Sequence, residues 1–474
     1  MADLPNEIRR INWPECFGFT HLFRAFCLAT NLNILGLAMC GVLLTYFAGR
    51  LMDGIWPSKY SPVVVKAAGP ATSELDKFVE AGGSCRAACQ WRADETKKKG
   101  VEHGGAFDLL FNHARTTVDQ GISAVLSGNF KGLAGAVGAG AMGKLWLLTM
   151  HPVYGVIFFV VCLVIWAFFG GAICRIAALQ AARDDRASYR EALAFARKKF
   201  LSFVAAPLMP IGAALLIAIP MYIVSWIGAI PAIGDVLIPL FFFLAIIGGF
   251  VLAFLTIGGS AGFSLMYPTV AVEGSDAFDA LSRSFSYVYQ RPWRTGFYAL
   301  LSLGYSAICL EFVKYFTRLM FALTHFVVGL AMNVGHAFGA PPDIGKLDAM
   351  WQAPSLTFAT PFWGVLTHGP HLTGASWLGW LLLHIWVYLV VGLVCAFAVS
   401  LYFSSSTLIY LLLRRDVDAT DLEDVYLEEH AEEEFGPAAA APAPAPAPAA
   451  APSPETPAPP GMQPPLPPET GQAT

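Results

Sequence analysis

The sequence predicts an all-α polytopic membrane bundle of about six transmembrane helices, with interfacial amphipathic helices and a disordered C-terminal tail. Three observations carry this. Of 474 residues, 56% are hydrophobic and only 14% charged, whereas a soluble domain carries about 25% charged residues. Six segments offer the ~20 mostly apolar residues that a bilayer-spanning helix needs. Acidic residues and prolines crowd the C-terminus: ten carboxylates fall between Asp416 and Glu434, and 14 of the 32 prolines lie from Pro437 onward. This pattern excludes an ordinary soluble enzyme, a disulfide scaffold and a nucleic-acid binder, because outside its acidic tail the chain is only mildly basic.

The elements follow in order. Residues 1–24 form a cytoplasmic N-terminal segment carrying Arg9, Arg10 and Arg24. The run 25–48 is the first helix, interrupted by Asn31 and Asn33. It is not a cleaved leader, because Tyr46-Phe47-Ala48 puts a large residue where cleavage needs a small one. A long outer loop, 50–145, contains helical spacing over Ser73–Ala93 and Phe107–Val125. The second helix spans 146–174 and the third 203–228, which carries Pro207, Pro210 and Pro220. The fourth spans 236–267 and the fifth 295–312. A second outer region, 313–376, holds the short apolar stretch Leu319–Met332, which lies on the outer surface or dips in and returns. The sixth helix spans 377–413. An acidic cytoplasmic segment, 416–436, precedes the Ala/Pro-rich tail 437–474, which cannot bury enough apolar side chain to offset its ordering entropy.

Lys and Arg gather before the first helix, between the second and third (Arg175 to Lys199), between the fourth and fifth, and after the sixth at Arg414-Arg415. Such clusters mark the cytoplasmic side. The expected location is a bacterial inner (plasma) membrane, multi-pass, with both termini in the cytoplasm. Two of these stretches look alike: Glu191-Ala192-Leu193 and Asp279-Ala280-Leu281 each follow one apolar helix and precede another. Ser188 and Glu191 have capping-box spacing. Ala277, Leu281, Phe285 and Val288 form one apolar face, so that Arg283, Arg291 and Arg294 reach lipid phosphates, as in an interfacial helix.

The stretch Val272-Glu273-Gly274, Ala277, Ala280-Leu281, Arg283-Ser284 and Trp293-Arg294 resembles a pattern in bacterial polytopic membrane proteins. These include the membrane domain attached to some glycerophosphodiester phosphodiesterases and related uncharacterised families. The specific match covers residues 272–294. The resemblance implies helical membrane architecture and no catalytic residue, because the phosphodiesterase chemistry resides in a separate soluble domain. On physical grounds Gly274 lets the backbone turn out of a helix, and Glu273 is placed to pair with Arg283.

Other candidate chemistry is thin. Gly138 to Lys144 fits phosphate-loop spacings, but no strand precedes it and Leu145 replaces the Mg²⁺-binding hydroxyl. Cys85 and Cys89 lie four apart in a polar stretch, as a structural pair or as two free thiols. His325, His336, His368 and His371 are scattered through the second outer region, without a metal-ligand spacing. Glu311, Lys314 and Arg318 read as a cluster at the outer boundary, and His384 as the clearest ionisable residue within a span. No catalytic pair, cofactor or metal is expected. The functional expectation is a non-enzymatic protein organising partners or the membrane surface; the alternative is a transporter or channel-like protein. Its expected partners are the lipid bilayer and a cytoplasmic protein reached through the acidic and Ala/Pro-rich tail, which is also placed to dock on the basic loop 175–199.

Overall fold

The computed structural model describes residues 17–57, 60–65, 72–97, 102–185, 187–231, 233–354, 356 and 372–426. The Ala/Pro-rich tail, the acidic residues beyond Tyr426, most of the N-terminal segment, and His368 and His371 lie outside the described residues. Within them the fold is an all-α helical membrane bundle.

After a 3₁₀ turn (Gly18–Arg24) and a short helix α1 (Ala25–Ala29), α2 runs from Leu32 to Ile55. The single helix expected over 25–48 is split because Asn31 is extended and its side chain accepts from the Asn33 N–H at 2.9 Å, capping α2. There follow α3 (Glu74–Glu80), α4 (Cys85–Glu95), α5 (Ala106–Leu126), α6 (Phe130–Met150), α7 (Pro152–Arg183), α8 (Tyr189–Lys198) and α9 (Phe200–Ser225). The chain continues through α10 (Ile233–Leu240), α11 (Phe242–Glu273), α12 (Ala277–Gln290), α13 (Pro292–Met332), α14 (Lys346–Met350) and α15 (Gly374–Asp418).

Seven of the described helices are long and apolar enough to cross a membrane: α2, α6, α7, α9 with its 3₁₀ extension to Ala229, α11, α13 and α15. That is one more than the sequence suggests. The helix expected over 146–174 is in fact two, α6 and α7. Pro152 opens α7, where a missing N–H costs nothing, and His151 leaves helical geometry with φ −129° and ψ 57°. Most of the expected outer loop 50–145 is therefore helix. A second correction concerns α13. The expected crossing 295–312 and the separate stretch 319–332 are one helix of 41 residues, because Glu311 and Lys314 pair with each other and with α5 instead of ending the span.

Helices α7, α11 and α15 pack on one another and end together, at what we call the basal end. At their contact Tyr267 stacks on Phe403 with rings 6.2 Å apart and 4° from parallel, and Phe203 meets Tyr267 edge-on. Gly170 admits these rings: a Cβ there would lie 2.8 Å from Phe403. The short repeat read in the sequence recurs as an element order. A 32-residue helix (α7, α11) ends in a left-handed residue (Asp184, φ 55°; Gly274, φ 62°). A side-chain-capped amphipathic helix (α8, α12) and then another long helix (α9, α13) follow.

At the opposite, distal end, α3, α4 and a small antiparallel sheet form a compact cap. Its central strand β1 (Val63–Val65) lies between β2 (Thr72–Ser73) and β3 (Glu102–His103). Glu74, fully buried, ties this cap to the α6–α7 junction: Oε1 lies 3.4 Å from His151 Nε2, and Oε2 lies 3.5 Å from Arg92 and 3.3 Å from the Val63 N–H. Burial pushes the Glu74 carboxyl up, but His151, Arg92 and the N–H outweigh it, so the group ionises below its ordinary 4.5.

Helix α5 starts on the Asp53 side chain, which accepts from the Phe107 and Asp108 N–H groups at 3.0 and 3.1 Å and from the Tyr154 hydroxyl at 2.8 Å. From there it runs along α2, where Tyr46 meets Phe107 and Phe111, and returns as α6. His113 contacts the Ala139 carbonyl at 2.8 Å, above Gly143.

Two outcomes follow. Because the folded Glu74 carboxyl ionises below its unfolded value, its stabilising effect is present above pH ~4.5 and is lost as pH falls through the folded value. Trp146 fluorescence should report loosening of the distal cap in that acidic window, and E74Q should remove that step. Gly170→Leu should lower the thermal melting point in detergent, by overpacking worth ~1–3 kcal/mol. Gly212→Leu, where nothing lies within 4 Å, should leave it nearly unchanged.

Candidate functional site

The basal end gathers most of the ionisable chemistry that the sequence singled out. Glu273, the last residue of α11, is only 11% exposed, and its two oxygens face different cations. Oε1 accepts from the Tyr410 hydroxyl at 2.9 Å and lies 2.8 Å from Arg414 Nε as an ion pair, and Oε2 lies 3.3 Å from Arg283. Arg414 is itself 10% exposed. It also donates to the Asp424 carbonyl, and its other terminal nitrogen lies 3.1 Å from the Asp424 carboxylate. Arg283, on α12, is held one turn away by Asp279 at 3.0 Å and lies 3.7 Å from Asp418, to which the Tyr287 hydroxyl donates. A flanking pair joins Arg294 to Asp416 at 2.9 Å, with the Tyr298 hydroxyl on the same carboxylate.

The second half of the site is backbone. The last carbonyls of a helix have no partner of their own. Here Arg175 of α7 donates to the Ala271 carbonyl at 2.8 Å, and the Tyr426 N–H donates to the Val272 carbonyl at 2.9 Å. Arg175 also donates to the Tyr426 carbonyl at 2.7 Å while its guanidinium lies 4.4 Å above the Phe195 ring. Arg183 donates to the Glu423 carbonyl at 3.1 Å. Val425 is buried. Residues 419–426 are thus a strap: the chain leaves α15 at Ala419, in left-handed geometry with φ 53°, and folds back over the helix ends. Gly274 makes room for it, since a Cβ there would lie 2.6 Å from the Tyr426 ring.

Glu273, Gly274 and Arg283 are brought together. Phe285 packs over Gly258 of α11 and against the main core. Arg291 stands exposed as the C-cap of α12. Arg283 and Arg294, expected to reach lipid phosphates, are each engaged by carboxylates of the chain itself. Cys85 and Cys89 lie apart from this site, as exposed free thiols on α4 in the distal cap. Gly138 to Lys144 is continuous helix within α6, not a phosphate loop. His325 bonds the Trp351 carbonyl at 2.9 Å and lies 3.2 Å from Asp348. No group of three or more potential metal ligands occurs among the described residues.

Sequence reasoning set the tail against the basic loop that begins at Arg175, but it did not single out Tyr410 or Arg414 as site residues. The available signal was Arg175 itself, an arginine inside the apolar run Gly170–Ala178, and Tyr410 one helical turn before Arg414. The arrangement places no nucleophile beside a base. What it does is electrostatic: two buried cations and a buried carboxylate clamp a peptide segment. Compared with models of known families, with curated proteins and with solved structures, the chain matches none.

Removing one partner of a buried ion pair leaves an uncompensated charge, at a cost of ~3–5 kcal/mol. Glu273→Leu and Arg414→Leu should each lower the unfolding midpoint, and the double variant should recover part of the loss. Strictly additive losses in a double-mutant cycle would refute coupling between the two.

Proposed function

We propose that this is a non-enzymatic, multi-pass protein of a bacterial inner (plasma) membrane that holds a cytoplasmic tail at a fixed point on its surface and organises other proteins through it. The observation that carries the reading is the strap, because a segment pinned by Arg175, Arg183 and Arg414 defines where the following residues leave the bundle. Those residues are acidic, then Ala/Pro-rich, a composition suited to a semi-rigid extended tether that meets a basic protein surface.

The basal end is the cytoplasmic side in this reading. Arg175, Arg183, Arg190, Arg197, Lys198, Lys199, Arg283, Arg291, Arg294, Arg414 and Arg415 all lie on elements that end or turn there. Seven crossings would leave the termini on opposite faces. Helix α5, too polar to count as an apolar span, supplies an eighth: it pairs along α6 and descends beside α2 and α13. Both termini are then cytoplasmic, and the distal cap is outside.

Single cysteines in a cysteine-free background test the topology. Ser127→Cys, at the α5–α6 tip, should react with a membrane-impermeant maleimide only from the cytoplasmic face, and Gly83→Cys only from outside. For the tether, a chain ending at Tyr426 should melt like the full chain yet bind no basic cytoplasmic partner. A chain ending at Leu413 should melt lower. Reproducible solute-dependent flux in liposomes would replace this reading with that of a transporter.

A further inference from the structure

The distal cap gathers sulfur along one seam, which a basal tether does not use. Cys85 and Cys89 stand at i and i+4 of α4, the spacing that sets two side chains on one helix face. On α6, Met142, Trp146 and Met150 likewise follow one another at intervals of four and share a face. Trp146 is fully buried in the cluster that also contains Ala88 of α4, and half-buried Met142 and Met150 pack against that cluster. This face of α6 is therefore the one that meets α4.

The contact brings thiol and thioether together. Cys89 Sγ lies 3.8 Å from Met150 Sδ. Just before α4 begins, a Cβ on Gly83 would lie 3.1 Å from Met142 Sδ. With Met142 beside the start of α4 and Met150 beside Cys89, Cys85 falls between the two thioethers along the seam. Both cysteines are free and exposed, so the thiols are open to solvent. Met150 supplies its sulfur from the apolar side.

The spacing and the chemistry select one kind of ligand. Two sulfurs 3.8 Å apart, each ~2.3 Å from a shared metal ion, subtend about 111° at it, which suits three- or four-coordinate geometry and not a linear one. Zn²⁺ takes thiolate, imidazole and carboxylate, and Ca²⁺ takes oxygen. A set that mixes thiolate with neutral thioether is soft and favours Cu(I). Histidine, cysteine and carboxylate side chains by themselves form no group of three among the described residues. His151, the residue after Met150, is turned to buried Glu74 at 3.4 Å.

We propose that Cys85, Cys89 and Met150 form a Cu(I)-binding site on the distal cap, with Met142 at its rim. Binding releases the two thiol protons to solvent as the thiolate sulfurs bond the ion. Met150 donates a lone pair and releases no proton, and copper keeps its oxidation state. The site is built within the cap and the α6 end, so it depends on neither the tether nor the number of crossings.

The full chain in detergent, its thiols reduced with a phosphine, would be mixed with Cu(I) held by bicinchoninate, and transfer read from loss of the coloured chelate. A single tightly held Cu(I) per chain is expected, with Cys85 and Cys89 protected from a maleimide and X-ray absorption showing a coordination sphere of sulfur alone. Cys89→Ser should abolish transfer. Met150→Leu, which conserves volume and should leave the melting point unchanged, should weaken transfer severalfold and unprotect the thiols at copper levels that protect the wild type. The C27S/C40S double variant, which lacks two other exposed thiols, should bind as the wild type does. Absent transfer, transfer unchanged by Cys89→Ser, transfer lost in C27S/C40S, or a coordination sphere of nitrogen and oxygen would each overturn the proposal. Loss in Cys89→Ser with full binding in Met150→Leu would overturn the thioether assignment.

Discussion

A carboxylate that is nearly nine-tenths buried must be met by cations, and Glu273 draws the basal end of the molecule together by that requirement. It recruits Arg414 from α15 and Arg283 from α12. Each arginine then needs acceptors of its own, which come from Asp279, Asp418 and the 419–426 strap. The strap's last N–H in turn serves a carbonyl that α11 leaves open. Helix ends, an interfacial helix and a returning peptide are thus parts of a single electrostatic problem. Pairs of this kind yield little net stability against a well-packed apolar substitute. What they fix is register, meaning which helix end meets which.

Much of the bundle was legible because hydropathy reports the cost of unpaired polar groups in lipid, and long apolar runs have no other place to go. The ends were less legible. Helices α7, α11 and α15 continue past their apolar runs to Arg183, Glu273 and Asp418, because their terminal polar residues are paired with one another rather than with water. Hydropathy treats each such residue as a stop. The same holds for α5, whose Asp119 meets its cation, Lys314, only far away in the sequence. At the site, Glu273, Gly274 and Arg283 stood out locally, since a Gly after an acidic helix end is a turn signal. Tyr426 could not, because its partners are backbone groups, which no side-chain pattern encodes.

The acidic run is instructive for the same reason. Ten carboxylates in sequence suggest repulsion and exposure, yet the first two lie at the end of α15 and the next three in the strap that folds back. Asp416, Asp418 and Asp424 each have an arginine within reach, and Val425 inserts among apolar residues. A charge run is a solvated face only when no opposing charges converge on it, and here Arg283, Arg294 and Arg414 from three helices provide them.

The Asp119–Lys314 contact also has a consequence for biogenesis. Its partners are separated by 195 positions in the chain. During synthesis the α5–α6 hairpin therefore emerges long before the ammonium that neutralises its carboxylate. Until then Asp119 lacks this cation, and so polar a helix gains little by leaving water. Either the hairpin waits in a protected, water-accessible place until α13 arrives, or it enters late, as a pre-paired unit carried in by apolar α6. The bundle would then be completed out of sequence order, with the α5–α6 hairpin among the last parts to settle.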